Sequence, residues 1–113
     1  MLARNFRLRR SVDIQKVVKF GERQIAPHFK IYWQLNKNNN EQALPTRSTV
    51  VVGKKVAKGA VTRNRIKRRT RAALKSLQMP AGFDLVIFPK EKVLDLPFEV
   101  LVDNLSALIK KIR

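Results

Sequence analysis

Cysteine is absent from this chain and histidine occurs once. Without a thiol there is no disulfide, no thiolate nucleophile and no cysteine metal site. A single imidazole also removes most nucleophile–base pairs and the common zinc sites. Acidic residues are scarce, eight against 25 Lys and Arg, which leaves a formal charge of +17. Long apolar runs are missing too: stretches such as Leu85 to Phe88 are far too short to span a bilayer. The opening MLARNFRLRR has no apolar stretch behind its charges, so no secretory signal is expected and the cytoplasm is the expected compartment.

What is present suffices for a fold. A hydrophobic fraction of 44% in 113 residues suits one compact domain, 1–113, with residues 1–10 as a basic N-terminal segment. The cations repel one another when the chain compacts, and a polyanion relieves that repulsion. Nucleic acid and an anionic membrane surface are the two common kinds.

Apolar periodicity predicts the elements. Ser11 is a candidate N-cap, Asp13 suits the start of a helix, Ile14, Val17 and Val18 share one helical face, and Gly21 is a natural C′ stop. Residues 28 to 36 alternate: Phe29, Ile31, Trp33 and Leu35 to one side, His28, Lys30, Tyr32, Gln34 and Asn36 to the other, as in a strand with one core face. A polar hairpin connection is expected over 37 to 46, then a β-branched strand from Ser48 to Val52 and a basic turn from Gly53 to Gly59. A long helix over 61 to 77 would bury Ile66, Thr70, Ala73, Leu74 and Leu77, with Pro80 and Gly82 ending it. Leu85 to Phe88 reads as a buried strand. Pro97 opens a last helix whose stripe is Phe98, Leu101, Val102, Leu105, Leu108, Ile109 and Ile112. The expected order is helix, strand, strand, helix, strand, helix: an α+β two-layer sandwich with helices on a small mixed sheet.

The densest signal is TRNRIKRRTR at 62 to 71. On a helical wheel Asn64, Arg68, Arg71 and Lys75 form one outward stripe, with Arg65 and Arg69 beside it and Ile66 and Thr70 opposite. Such a helix can pack on a sheet and still present cations. Arginine suits the task because its planar guanidinium binds phosphate through two parallel hydrogen bonds and stacks on bases. A solvated helix face normally mixes signs, yet no acid occurs between Glu41 and Asp84. Lys54 and Lys55 lead into this helix, where backbone N–H groups favour phosphate. The Walker pattern is absent, so nucleotide hydrolysis is not expected. Tyr32, flanked by Lys30 and His28 on the polar strand face, suits base stacking unless another element covers it. Asp95, Glu99 and Asp103, four residues apart, read as the solvated face of an amphipathic helix rather than a metal site. No catalytic constellation is present. If a complex containing this chain cuts RNA, another component supplies the chemistry.

These residues resemble the protein subunit of bacterial ribonuclease P. The likeness is carried by Lys54-Lys55, the following turn, and Arg63-Asn64-Arg65-Ile66-Lys67-Arg68, the family's "RNR" signature. It extends to D-x-Q-K-V at 13 to 17, Gly21, and the strand with Phe29 and Tyr32. The resemblance implies a left-handed strand–helix–strand crossover around the RNR helix, an exception to the usual hand. It implies that this accessory subunit of an endoribonuclease binds the catalytic RNA, which cleaves precursor tRNA with Mg²⁺ and releases the 5′ leader. Lys54, Lys55, Arg63, Asn64, Arg65, Lys67, Arg68 and Arg71 would contact the RNA. Ile14, Val18, Lys30 and Tyr32 would line a cleft for the leader; many members carry two Phe where Ile14 and Val18 stand, so apolar packing would replace ring stacking there. The protein itself would hold no cofactor, no metal and no catalytic side chain. Neither membrane nor DNA is an expected partner: a helix–turn–helix reader needs a short helix before the recognition helix, and a strand and basic turn stand there. A structural RNA binder of ribosomal type would share the charge but not the RNR arrangement.

Overall fold

In the computed structural model the described residues are 11–36, 46–77 and 82–112; the basic segment 1–10, most of the 37 to 46 connection, and Pro80 lie outside them. The first helix, α1, is described over Ser11–Phe20, so Ser11 lies within the helix rather than flanking it. Gly21 ends α1 for a steric reason. Its N–H donates to the Val17 carbonyl at 2.8 Å. A Cβ there would lie 2.4 Å from the Val17 oxygen and 2.5 Å from the Trp33 carbonyl oxygen, so any side chain would push α1 off the sheet. Gly21 thus stops the helix where expected but without a left-handed backbone; the glycine with positive φ among the described residues is Gly82, at 90°.

Four strands follow the order β1-β2-β4-β3 in one sheet, with β1 Glu22–Ile25, β2 Phe29–Leu35, β3 Arg47–Val50 and β4 Phe83–Pro89. β1 is an addition to the expected order; it is short, polar and mostly exposed at the sheet edge, and offers no alternation to read. It pairs antiparallel with β2, placing Arg23 opposite Tyr32. The expected hairpin between β2 and β3 does not form. β4 inserts between them, antiparallel to β2 and parallel to β3. A strand with an unbroken apolar run, here Leu85 to Phe88, needs neighbours on both edges and cover on both faces, and the centre of the sheet supplies them. The parallel β3–β4 pair requires a crossover, which is made by α2, Ala60–Lys75.

After β4 come a 3₁₀ turn, Glu91–Leu94, and α3, Phe98–Ile109, with Pro97 at its N-cap. α2 stops at Lys75 instead of 77, where the Ser76 hydroxyl donates to the Ala73 carbonyl at 2.8 Å. No helix among the described residues is long and apolar enough to cross a membrane.

Strand alternation divides the apolar residues between two faces. Phe29, Ile31 and Trp33 of β2 and Leu85 and Ile87 of β4 face α2 and α3, where Ile66, Leu74, Leu101 and Leu105 are buried with them. Each full burial of such a side chain contributes about 1.5–3 kcal/mol before entropy is counted. On the opposite face Val17 of α1 packs on Val86 of β4, joined by Ile14, Val18, Tyr32, Val51 and Phe88. Two ends of the expected apolar stripes lie outside the core: Leu35 is 59% exposed and Phe98 41%.

Candidate nucleic-acid interface

The basic residues of α2 follow from how it packs. Ile66, Thr70, Ala73 and Leu74 are buried against the sheet and α3. Asn64, Arg65, Arg68 and Lys75 are therefore exposed, with Lys67 and Arg71 partly so. Among the described residues no carboxylate pairs with an α2 cation; the ion pair found is Arg47–Asp84, elsewhere on the sheet. The outward face of α2 thus carries uncompensated positive charge.

Two α2 arginines are committed to the fold. Arg63 donates from Nη1 to the carbonyls of Ala57, at 3.0 Å, and Lys58, at 2.6 Å, tying the preceding turn to the helix. Arg69, expected beside the outward stripe, turns back onto the fold. Its Nε donates to the Val93 carbonyl at 3.0 Å and its Nη2 to the Leu96 carbonyl, so it clamps the chain between the 3₁₀ turn and α3. Lys54 and Lys55 are exposed, but in a turn of their own: Val56 and Ala57 N–H groups both close on the Gly53 carbonyl, at 3.1 and 3.3 Å. Residues 56–59 separate these lysines from the helix start.

The second candidate site lies on the other sheet face, beside α1. The structure brings Ile14, Val18 and Tyr32 into one apolar cluster. Tyr32 is half-buried and meets Phe88 edge-on, centroids 5.5 Å apart and planes at 88°. Lys30 Nζ stands 5.6 Å from both ring centroids, within cation–π range. His28, expected beside Tyr32, lies elsewhere: it precedes β2 and borders a hollow with Asn104 and Lys111 of α3. Phe88 and Arg23 are the neighbours that sequence reasoning missed. Phe88 sits in an unbroken apolar run that does not reveal its face, and Arg23 belongs to the unforeseen β1.

Among the described residues no three His, Cys, Asp or Glu side chains gather as a metal site would require. The arrangement is suited to holding polyanion on two surfaces, one on each side of the sheet.

Comparison with known proteins agrees with this geometry. The family model described as Ribonuclease P matches residues 2–113. The ribonuclease P protein component of Oleidesulfovibrio alaskensis is 36% identical over 119 residues, covering 100% of this chain and 90% of its own. That of a Pseudanabaena species is 33% identical, covering 100% and 96%. Among solved structures, the ribonuclease P protein of Thermotoga maritima superposes with a TM-score of 0.80 at 26% identity, covering 95% of this chain and 97% of that one. The Staphylococcus aureus protein gives 0.72 at 25% identity, covering 93% of each. A basic helix braced on a mixed sheet, matched along almost its whole length by these proteins, places this chain in the bacterial ribonuclease P protein family.

Proposed function

We propose that this chain is the protein component of a bacterial ribonuclease P ribonucleoprotein, in which it binds the RNA component and the 5′ leader of precursor tRNA and assists leader removal in the cytoplasm. The observation that carries the reading is the outward face of α2. Asn64, Arg65, Lys67, Arg68 and Arg71 project from a helix whose opposite side is locked into the core, in a chain that belongs to this family. Arginines held on a rigid element bind phosphate at a smaller entropic cost than arginines on a free tail. Lys54 and Lys55 extend the positive surface.

The leader would lie along the α1 side of the sheet, where Tyr32 offers a ring, Ile14 and Val18 an apolar ridge, and Lys30 a charge for phosphate. Because the two surfaces lie on opposite sheet faces, one rigid domain would hold the ribozyme with one side and orient substrate with the other. Mg²⁺ would supply the hydrolytic chemistry of such a complex. No step through the metal is assigned to this chain. The chain's contribution is affinity and positioning.

The test adds purified protein to a bacterial ribonuclease P RNA at low Mg²⁺ and follows cleavage of precursor tRNA. Stimulated release of the leader is expected, with no cleavage by the protein alone. Failure to stimulate, or leader removal by RNA-free protein, overturns the reading.

A further inference from the structure

Phe98 is a large ring left 41% exposed at the start of α3, and it stands in basic surroundings. Two hollows meet there. One, of about 620 Å³, is bounded by Arg68, Arg71 and Lys75. The other, of about 380 Å³, is bounded by Arg65, Arg68 and Arg69. Phe98 and Ala72 line both, so the hollows form one groove between α2 and the beginning of α3. None of the described residues lining it is acidic.

The ring is held in place. The Arg69 guanidinium lies 5.9 Å from its centroid and is itself fixed by the carbonyls of Val93 and Leu96. A flat apolar surface, braced by one clamped cation and rimmed by others that pair with no described carboxylate, has the chemistry of a nucleotide site. The ring accepts a base face, and the guanidinium and ammonium groups accept the flanking phosphates. A regular duplex would satisfy the cations but offers no base face to the ring. An unpaired nucleotide offers both.

We propose that the groove between α2 and the start of α3 takes one unpaired nucleotide of an RNA, its base stacked on Phe98 and its phosphates held by Arg68, Arg71 and Lys75. This rests on the reading of the chain as an RNA-binding subunit and adds a specific pocket to it.

The test measures binding of the full chain to a bacterial ribonuclease P RNA across a range of salt concentrations, for the unaltered protein, Phe98→Leu and Phe98→Tyr. Leucine keeps apolar contact and removes the ring; tyrosine keeps the ring. A thermal melt of each variant establishes that it is folded. Phe98→Leu should weaken binding roughly fivefold to a hundredfold, and Phe98→Tyr should stay within about twofold of the unaltered protein. The slope of log affinity against log salt should not change, because no cation is lost. Leucine binding as tightly as phenylalanine, tyrosine failing to rescue, or a reduced slope would overturn the pocket while leaving the RNA-binding reading standing. An unaltered chain that binds no RNA would overturn both.

Discussion

Arg47 and Asp84 face each other directly in the parallel β3–β4 register and are joined by a two-pronged ion pair. Arg47 Nε donates to Oδ1 at 3.0 Å and Nη2 to Oδ2 at 2.8 Å. Asn36 Nδ2 donates to the same Oδ1 at 3.0 Å, so one carboxylate ties β3, β4 and the end of β2 together. The Asp84 side chain is 12% exposed and that of Arg47 34%. Asp84→Ala should therefore cost about 1.5–3 kcal/mol, below the roughly 3–5 kcal/mol of a fully buried pair, because water reaches the stranded arginine. A urea unfolding curve measures the loss; an unchanged midpoint would show the pair to be neutral. The hydrogen bond to Asp84 is the largest cause raising the Arg47 pKa above its usual range, ahead of the opposing effect of burial. Stabilisation from a raised pKa is present below the unfolded value and lost as pH rises through the folded one. This contribution should thus stay constant across neutral pH and be lost in strong alkali.

Thr70 sits in the middle of the apolar stripe of α2, wholly buried, and its Oγ1 has no hydrogen-bond partner among the described residues. A buried, unsatisfied hydroxyl costs about 1–3 kcal/mol. Thr70→Val should raise the melting temperature by several degrees and leave RNA affinity unchanged. A lower melting temperature would mean that the hydroxyl is satisfied in solution.

The arginines of α2 should separate into two groups. Arg65→Ala with Arg68→Ala should leave the fold intact and weaken binding to a bacterial ribonuclease P RNA, with about 1.5–3 kcal/mol per contact before non-additivity. The salt slope should fall by about 0.7–0.9 per lost phosphate contact. Arg69→Ala should instead destabilise the fold, since it strands two carbonyls between the 3₁₀ turn and α3. Unchanged RNA affinity in the double variant at physiological salt would remove this face from the interface.

Tyr32→Ala should weaken binding of precursor tRNA to the reconstituted complex by roughly ten- to a hundredfold at most, from the loss of one base stack. Mature tRNA has no leader, and its binding should hardly change. Equal losses for both RNAs, with fold and ribozyme binding intact, would place the leader elsewhere.

Periodicity located α1, β2, α2 and α3, because a buried stripe of spacing 3.6 or 2 is written locally in Ile14-Val17-Val18, Phe29-Ile31-Trp33 and Ile66-Thr70-Ala73, while β4 was legible from the short length of its unbroken apolar run, Leu85 to Phe88. It also placed the exposed cations of α2, since whatever lies opposite a buried stripe faces solvent. Strand order was not legible. β2 and β3 are neighbours in the chain and would have made an ordinary hairpin; only the demand of β4 for cover on both edges and both faces separates them. β1 carries no pattern, and its pairing depends on the open edge of β2. The divided duties of the arginines were equally hidden. Arg65 and Arg69 look alike on a helical wheel, but the carbonyls of Val93 and Leu96, more than twenty residues on, claim one of them. Phe98 belongs to the apolar stripe by spacing and to the surface by position, because the core ends one turn before it does. Local spacing follows from the geometry of a helix or strand; which groups meet across the fold depends on long-range closure that no single segment encodes.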